Sequence, residues 1–464
     1  MNNFSHIFMI GIGGIGVSAL ARYFVRSGKI VAGYDRTPTA LTAQLESEGI
    51  KITFEDKLSF TDASFSNPRK TLIIFTPAVK EDNGFLMYFR AKGFKIMKRA
   101  EVLGEITKQY KTIAVAGTHG KTSVSCMMAH LLYGSGVGCT AILGGIPANY
   151  KTNFLYRENT SFMVTEADEF DRSFLKLHPC FAVITSADAD HLDVYGDKNS
   201  LVQSFNAFAG NVSENGVLLV KYGADINTST LKTKGIYSYS LNDKQADVFA
   251  GNIKIDNHRM VFDLLTPDAE IKGLEMKALG LFNVENAVAA AFMAIKAGVS
   301  ETEIRDGLLS FEGVYRRFQR RFVSENVIYI DDYAHHPEEI KALIASVKSV
   351  YPGRKITGIF QPHLYSRTRD FADGFAESLA LLDEILLLDI YPARELPIEN
   401  VNSNLIFQKI KHTNKLLINK EELPGIIKNG NFEILLTIGA GDIDRLIVPI
   451  REILEKKYKK QQQS

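Results

Sequence analysis

Apolar runs of three to six residues recur along the chain, each ending in a polar or glycine-rich cluster. They fall at 7–10, 30–35, 71–75, 95–97, 113–115, 161–164, 181–185, 327–330, 356–360, 384–388 and 434–437. Consecutive Ile, Val, Leu and Phe, without polar alternation, are what strands covered on both faces require. Between them lie segments with apolar residues three and four apart. Val17, Leu20, Ala21, Phe24 and Val25 form one such stripe, stopped by Gly28. Val124, Met127, Met128, Leu131 and Leu132 form another, closed by Gly134, and Ala287, Val288, Ala291 and Ile295 a third. Helical stripes alternating with buried strands predict an α/β protein with mostly parallel sheets. A length of 464 residues, at roughly 150 per domain, suggests three domains. The pattern divides them at 1–107, 108–316 and 317–464, with Rossmann-like outer domains.

The polar clusters follow the strands, at the sheet edge where such folds bind ligands. Gly11-Ile12-Gly13-Gly14-Ile15-Gly16 follows the first strand and opens the first helix; Asp35 ends the second strand. This context puts a diphosphate on a helix N-terminus, with Asp35 a candidate for a ribose hydroxyl. NAD, FAD and UDP-sugars all fit it. Thr76 and Arg99 stand at further strand ends of the same segment.

Gly117-Thr118-His119-Gly120-Lys121-Thr122 follows the strand at 113–115 and leads into a helix through Ser123. Backbone N–H groups there point at an anion, Lys121 reaches outer phosphates and Thr122 is placed to ligate Mg²⁺. Val115 stands where the longer phosphate-loop pattern has its first glycine, so the tighter G-x-x-G-K-T form is present. Such a loop needs a second oxygen ligand for Mg²⁺ from a neighbouring strand end. Glu166 and Asp168, in Thr165-Glu166-Ala167-Asp168-Glu169-Phe170-Asp171, supply one. Asp188, Asp190, His191 and Asp193 cluster at the next strand end as metal or catalytic candidates, and Asn286 is placed to face the nucleotide. In the last segment, Tyr333 lies in Asp331-Asp332-Tyr333-Ala334-His335-His336-Pro337, with Pro337 suited to the first helical position. His363, Arg367 and Arg369 share a rim, and two such arginines suit a carboxylate or a phosphate.

Charge narrows the field. Lys and Arg total 54 against 53 Asp and Glu, for a net charge of +1 and a pI near 7.7. That leaves no basic footprint for nucleic acid or an anionic membrane. Cys126, Cys139 and Cys180 are far apart and form no C-x-x-C, which predicts buried thiols in a reducing compartment. No apolar run is long enough to span a bilayer and no export signal is visible, so a cytoplasmic protein is expected.

Taken together, GIGGIG, GTHGKT, EADEFD, DADHLD, YRRF, DDYAHHP, QPHLYSRTRD, DIYPAREL and GAGD resemble the Mur ligases over nearly the whole chain. The resemblance implies a UDP-sugar-binding first domain, a P-loop ATPase-like central domain and a third domain that brings in the amino acid. It implies ligation of L-alanine to the lactyl carboxylate of UDP-N-acetylmuramate, with ATP and Mg²⁺, in peptidoglycan precursor synthesis, cell-wall biogenesis and cell division. A monomer or weak homodimer without nucleic-acid or membrane partners is implied as well. Gly11, Gly13, Gly14, Gly16, Asp35, Thr76 and Arg99 would then take the UDP-sugar. Gly117, Thr118, His119, Gly120, Lys121, Thr122, Ser123, Asn286 and Arg317 would take ATP, and Thr122, Glu166 and His191 the Mg²⁺. Lys121, His191 and Glu166 would be catalytic, and Tyr333, His363 and Arg367 would line the alanine pocket.

The chain departs from the family pattern in three places: Phe282 stands before Asn283, Leu364 follows Gln361-Pro362-His363, and Asn206 occupies the carbamylated-lysine position of sister ligases. The alternatives are a murein-tripeptide recycling ligase, a nicotinamide-dependent oxidoreductase built on GIGGIG and a non-catalytic nucleotide-binding regulator.

Overall fold

The computed structural model describes residues 3–56, 63–188, 195, 197–393 and 395–459. Within them the chain folds into three sheets flanked by helices, an α/β architecture.

The first sheet holds His6–Ile10, Ile30–Tyr34, Lys51–Thr53, Thr71–Phe75 and Lys95–Lys98. In space the third strand comes first, then the second, first, fourth and fifth, all parallel. The order reverses beside the first strand, so the ligand crevice of this sheet opens over the glycine loop. The helix Ile15–Arg26 buries Val17, Leu20, Ala21 and Phe24 as expected, but Val25 is exposed.

In the second sheet the strand Lys111–Ala116 lies between Phe162–Glu166 and Phe181–Ile184, parallel to both. This puts the phosphate loop and two acidic strand ends on one edge. The sheet extends through Val217–Lys221, Gly235–Ser240, Val248–Asp256, Arg259–Leu265 and Glu270–Met276 on one side. On the other it ends with Thr140–Ile142 and the antiparallel Phe154–Leu155.

The third sheet runs Gln319–Val323, Ile328–Asp332, Ile434–Ile438, Ile356–Phe360, Glu384–Leu387 and Lys415–Leu417, parallel except for its first edge strand.

Two compact units result. One runs through Lys254 and includes Val261–Lys277 and Val284–Glu312. The other holds Ile255–Met260, Ala278–Asn283 and the chain from Gly313 onward. In the first unit a single apolar cluster joins Ile7, Met9, Leu20 and Phe24 to Phe174, Phe205 and Phe208. Phe174 and Phe208 stack there at 5.1 Å, and each buried phenyl ring contributes roughly 2–3 kcal/mol. A second cluster, with Phe8, Ile10, Phe85 and Phe89, covers the other face of the first sheet. The second unit has its own core of Tyr329, Ile359, Leu386, Leu435, Ile450 and Leu454. Among the described residues no helix is long and apolar enough to cross a membrane.

Candidate active site

The three glycine-loop partners named from sequence meet at the first strand's end. Gly11 adopts φ +84, and a β-carbon there would overlap the Thr76 side chain. Gly13 donates its N–H to Asp35 Oδ2 at 2.8 Å, while Asp35 Oδ1 accepts from Thr37 N at 3.1 Å. Asp35 therefore shapes the loop itself; the next helix is capped by Thr39, not by Asp35. Gly14 caps the helix Ile15–Arg26. Arg99 lies over Gly16, its Nη1 2.8 Å from where a β-carbon would stand.

The phosphate loop bends through Gly117 at φ +136 and Gly120 at φ +81, conformations that suit glycine. The helix Lys121–Tyr133 then starts with Lys121 and Thr122 in its first turn, followed by the nearly buried Ser123. Two residues that the sequence reading did not single out hold the loop from the strand Phe181–Ile184. Ser186 Oγ lies 2.8 Å from Thr118 Oγ1 and accepts from His119 N at 2.9 Å. Thr185 Oγ1 donates to the carbonyls of Ala116 and His119. His119 Nε2 lies 4.0 Å from Asp188 Oδ2. Asn286, on the helix Leu281–Lys296, faces the loop, with its Oδ1 3.2 Å from the place of a Gly120 β-carbon. Asn283 sits inside that helix, donating from Nδ2 to Leu279 O at 2.7 Å.

Lys121 Nζ donates to Gly117 O at 2.5 Å and to Glu169 Oε1 at 2.8 Å. The Glu169 side chain is completely buried. Burial pulls the ammonium down, but the carboxylates of Glu169, Glu166 and Asp168 outweigh it and hold it above its ordinary range. Of the acidic run the sequence pointed to Glu166 and Asp168; the acid that seats the lysine is Glu169.

Glu166 ends the strand Phe162–Glu166, and its carboxylate fills the space over Gly144 that a β-carbon would take. A Thr122 hydroxyl and a Glu166 carboxylate are hard oxygen donors that suit Mg²⁺. This ion takes one or two protein ligands and draws the rest from phosphates and water. Among the described residues no three His, Cys, Asp or Glu side chains converge on a metal position, as a phosphate-shared ion allows. His191 and Asp190 lie outside the described residues.

In the second unit two guanidinium groups lie against the Tyr333 ring, Arg316 Cζ 5.2 Å and Arg317 Cζ 5.3 Å from its centre. Arg316, at φ +60, pairs with the buried Asp331 at 3.2 Å and donates to Gly439 O at 2.6 Å. Arg317 Nη1 lies 3.7 Å from Glu339 Oε1. Asp332 accepts from Phe318 N at 2.6 Å and Ala334 N at 2.8 Å, and burial raises its carboxyl to about 6. The helix Pro337–Val350 begins with Pro337, as the sequence predicts.

His335 donates its backbone N–H to Glu339 Oε2 at 2.9 Å, and its Nδ1 lies 3.3 Å from the same oxygen. Burial, opposed by Glu339 and reinforced by Arg367 and Arg317, lowers its pKa to about 4. The His335 ring meets that of His363 at 6.2 Å, and His363 stacks on Tyr391 at 5.8 Å. Tyr333, His335, His363, Arg317 and Arg367 thus share one region. Arg369 does not join it: exposed, it pairs with Asp370 at 2.7 Å. The departures from the family pattern also find places. Phe282 meets the Phe318 ring at 5.7 Å, Leu364 takes φ +71 before the helix Tyr365–Asp370, and Asn206 Oδ1 accepts from Asn227 N at 2.8 Å.

Family models match three successive stretches. They are a Mur ligase family catalytic domain over residues 6–111, a Mur ligase middle domain over 115–294 and a Mur ligase glutamate ligase domain over 316–426. The chain is 48% identical to a UDP-N-acetylmuramate–L-alanine ligase of Parabacteroides distasonis, across 99% of each chain. It is 48% identical to the same-named enzyme of Porphyromonas gingivalis, across 97% of this chain and 99% of that one. The solved UDP-N-acetylmuramate-alanine ligase of Thermotoga maritima superposes with a TM-score of 0.81 at 27% identity, covering 98% of this chain and 99% of that chain. A murein peptide ligase of Psychrobacter arcticus shares the fold, with a TM-score of 0.71 at 22% identity over 96% and 99% of the two chains.

Proposed function

The chain belongs to the Mur ligase family, and from that premise we infer that it is an ATP-dependent ligase in peptidoglycan precursor synthesis. It joins L-alanine to the lactyl carboxylate of UDP-N-acetylmuramate and releases ADP and phosphate. The observation that carries this is the near-half identity, end to end, with ligases of that name.

The chain's own residues supply the steps. The glycine loop from Gly11 to Gly16, shaped by Thr76 and Asp35, seats the UDP diphosphate at the start of the helix Ile15–Arg26. Gly117 to Ser123 cradle the ATP phosphates, and Lys121 exchanges Glu169 for the β and γ phosphates. Asn286 contacts the adenine and Arg317 reaches ATP. Thr122, Glu166 and His191 would hold Mg²⁺, which when bound neutralises charge on the transferring phosphoryl group. The lactyl carboxylate oxygen attacks the γ-phosphorus, and the bond to the β–γ bridging oxygen breaks, giving an acyl phosphate and ADP. The neutral alanine amine then attacks the acyl carbon, and phosphate leaves from the tetrahedral intermediate.

Tyr333, His363 and Arg367 line the alanine pocket, Arg367 meeting the carboxylate. In this reading residues 1–107 serve the sugar nucleotide, 108–316 ATP and 317–464 the amino acid. Use of ATP and a UDP-sugar places the reaction in the cytoplasm. Purified protein given Mg²⁺ and ATP should form ADP only when both UDP-N-acetylmuramate and L-alanine are present. ADP formed with an alanyl tripeptide but not with alanine would move the assignment to the recycling ligase, and an NAD(P)H absorbance change to an oxidoreductase.

A further inference from the structure

Two consecutive cations at the end of the strand Lys95–Lys98 reach two acids of the Glu166–Asp171 run. Lys98 Nζ lies 3.2 Å from Asp171 Oδ2, and Arg99 Nη2 lies 3.3 Å from Asp168 Oδ2. Arg99 is the more buried of the two cations, with 16% of its side chain exposed against 46% for Lys98. The same guanidinium lies over Gly16, one residue into the helix Ile15–Arg26. It is aligned from behind: Arg99 opens the helix Arg99–Thr107, whose preceding residue donates its N–H to Glu101 Oε2 at 2.8 Å. Asp168 is equally fixed, since its Oδ1 accepts from Phe170 N at 3.1 Å and its carbonyl from Phe174 N at 2.9 Å. Two residues before it stands Glu166, and its charge is felt at Lys121. One planar cation therefore touches both the helix start of the glycine loop and the acidic run beside the phosphate loop.

We propose that Arg99 is a shared positioning cation, for which Asp168 competes with the diphosphate of the sugar nucleotide. Arriving diphosphate oxygens draw the guanidinium's N–H donors from Asp168, so occupancy of the glycine loop is registered in the acidic run that faces Lys121. By reciprocity, whatever engages Asp168 alters the hold on the sugar nucleotide. The proposal rests on reading the glycine loop as the diphosphate seat.

The test is a double-mutant cycle read as the Kd for UDP-N-acetylmuramate by calorimetry, on the full chain without ATP. Arg99→Gln should weaken binding. Asp168→Asn, which removes the competitor and keeps the amide's hydrogen bonding, should tighten it by about two- to fivefold, the range of a partly exposed ion pair. In the Arg99→Gln background Asp168→Asn should change nothing. Tightening of equal size in both backgrounds would reduce Asp168 to a background field and overturn the shared cation, as would unchanged or weaker binding in Asp168→Asn alone. Failure of the unsubstituted protein to bind UDP-N-acetylmuramate would instead remove the diphosphate seat. A far-UV circular dichroism spectrum matching that of the unsubstituted protein would confirm that each variant is folded.

Discussion

Removing the phosphate-loop lysine should cost this protein stability as well as activity. The Lys121 ammonium sits 2.8 Å from Glu169, whose side chain is fully buried. Taking away one member of a buried ion pair leaves the other charge in a poor solvent, which costs about 3–5 kcal/mol. At about 2–4 °C per kcal/mol for a unit of this kind, Lys121→Met should lower its melting temperature by about 6–20 °C. Adding Glu169→Gln removes the stranded charge and should recover most of that loss. Ligation should follow a different pattern. Lys121→Met should lower turnover by roughly 10³-fold or more, because a cation on the transferring phosphoryl group is lost, and Glu169→Gln should not restore it. The chain has no tryptophan, so melting is followed by far-UV circular dichroism, and turnover by ADP release. Wild-type melting in Lys121→Met would refute the buried pair as a stability element. Recovery of turnover in the double variant would refute Lys121 as the phosphate ligand.

Arg367→Ala should raise the KM for alanine far more than that for ATP in steady-state kinetics; equal effects would move Arg367 out of the amino-acid pocket. The second unit should show a hidden pH balance. His335, lowered from 6.5 to about 4, binds fewer protons folded than unfolded, so its contribution grows as pH rises through that window. Asp332, raised from 3.8 to about 6, binds more protons folded, so its contribution is lost as pH rises from about 4 to 6. The two offset each other. In His335→Gln the opposing contribution is gone while those of Asp332 and of Asp331, both raised by burial, remain, and the melting temperature of this unit should fall from pH 4 to 6 more steeply than in the parent protein. Equal slopes in melts across that range would contradict it.

The central strands and loops were legible because burial on both faces leaves unbroken apolar runs, as at Ile113 to Val115 and Ile434 to Leu436. Some outer strands escaped because one face stays polar. In Val248–Asp256 buried Val248 and Ala250 give way to exposed residues, among them Ile255, and Lys415–Leu417 is short and partly exposed. The glycine loop and its helix announce themselves through spacing, since neighbours in sequence become neighbours in space. Glu169 did not stand out among four acids within six positions, because only packing decides which of them turns inward. Thr185 and Ser186, which brace the phosphate loop, lie nearly seventy residues away along the chain. One cue for them was present: a polar pair at the end of the strand that flanks the loop strand. Arg369 shows the reverse error, because spacing on a short helix cannot distinguish a ligand-facing arginine from one bound to its neighbour.

The central claim is that the muramyl carboxylate is activated by phosphorylation before the amine attacks. The direct measurement is a single ligation reaction with UDP-N-acetylmuramate carrying ¹⁸O in its lactyl carboxylate, with mass analysis of the released phosphate. An acyl phosphate predicts that one labelled oxygen passes from the carboxylate into each phosphate formed with product. Unlabelled phosphate, with the oxygen that leaves the labelled carboxylate recovered in water, would contradict it.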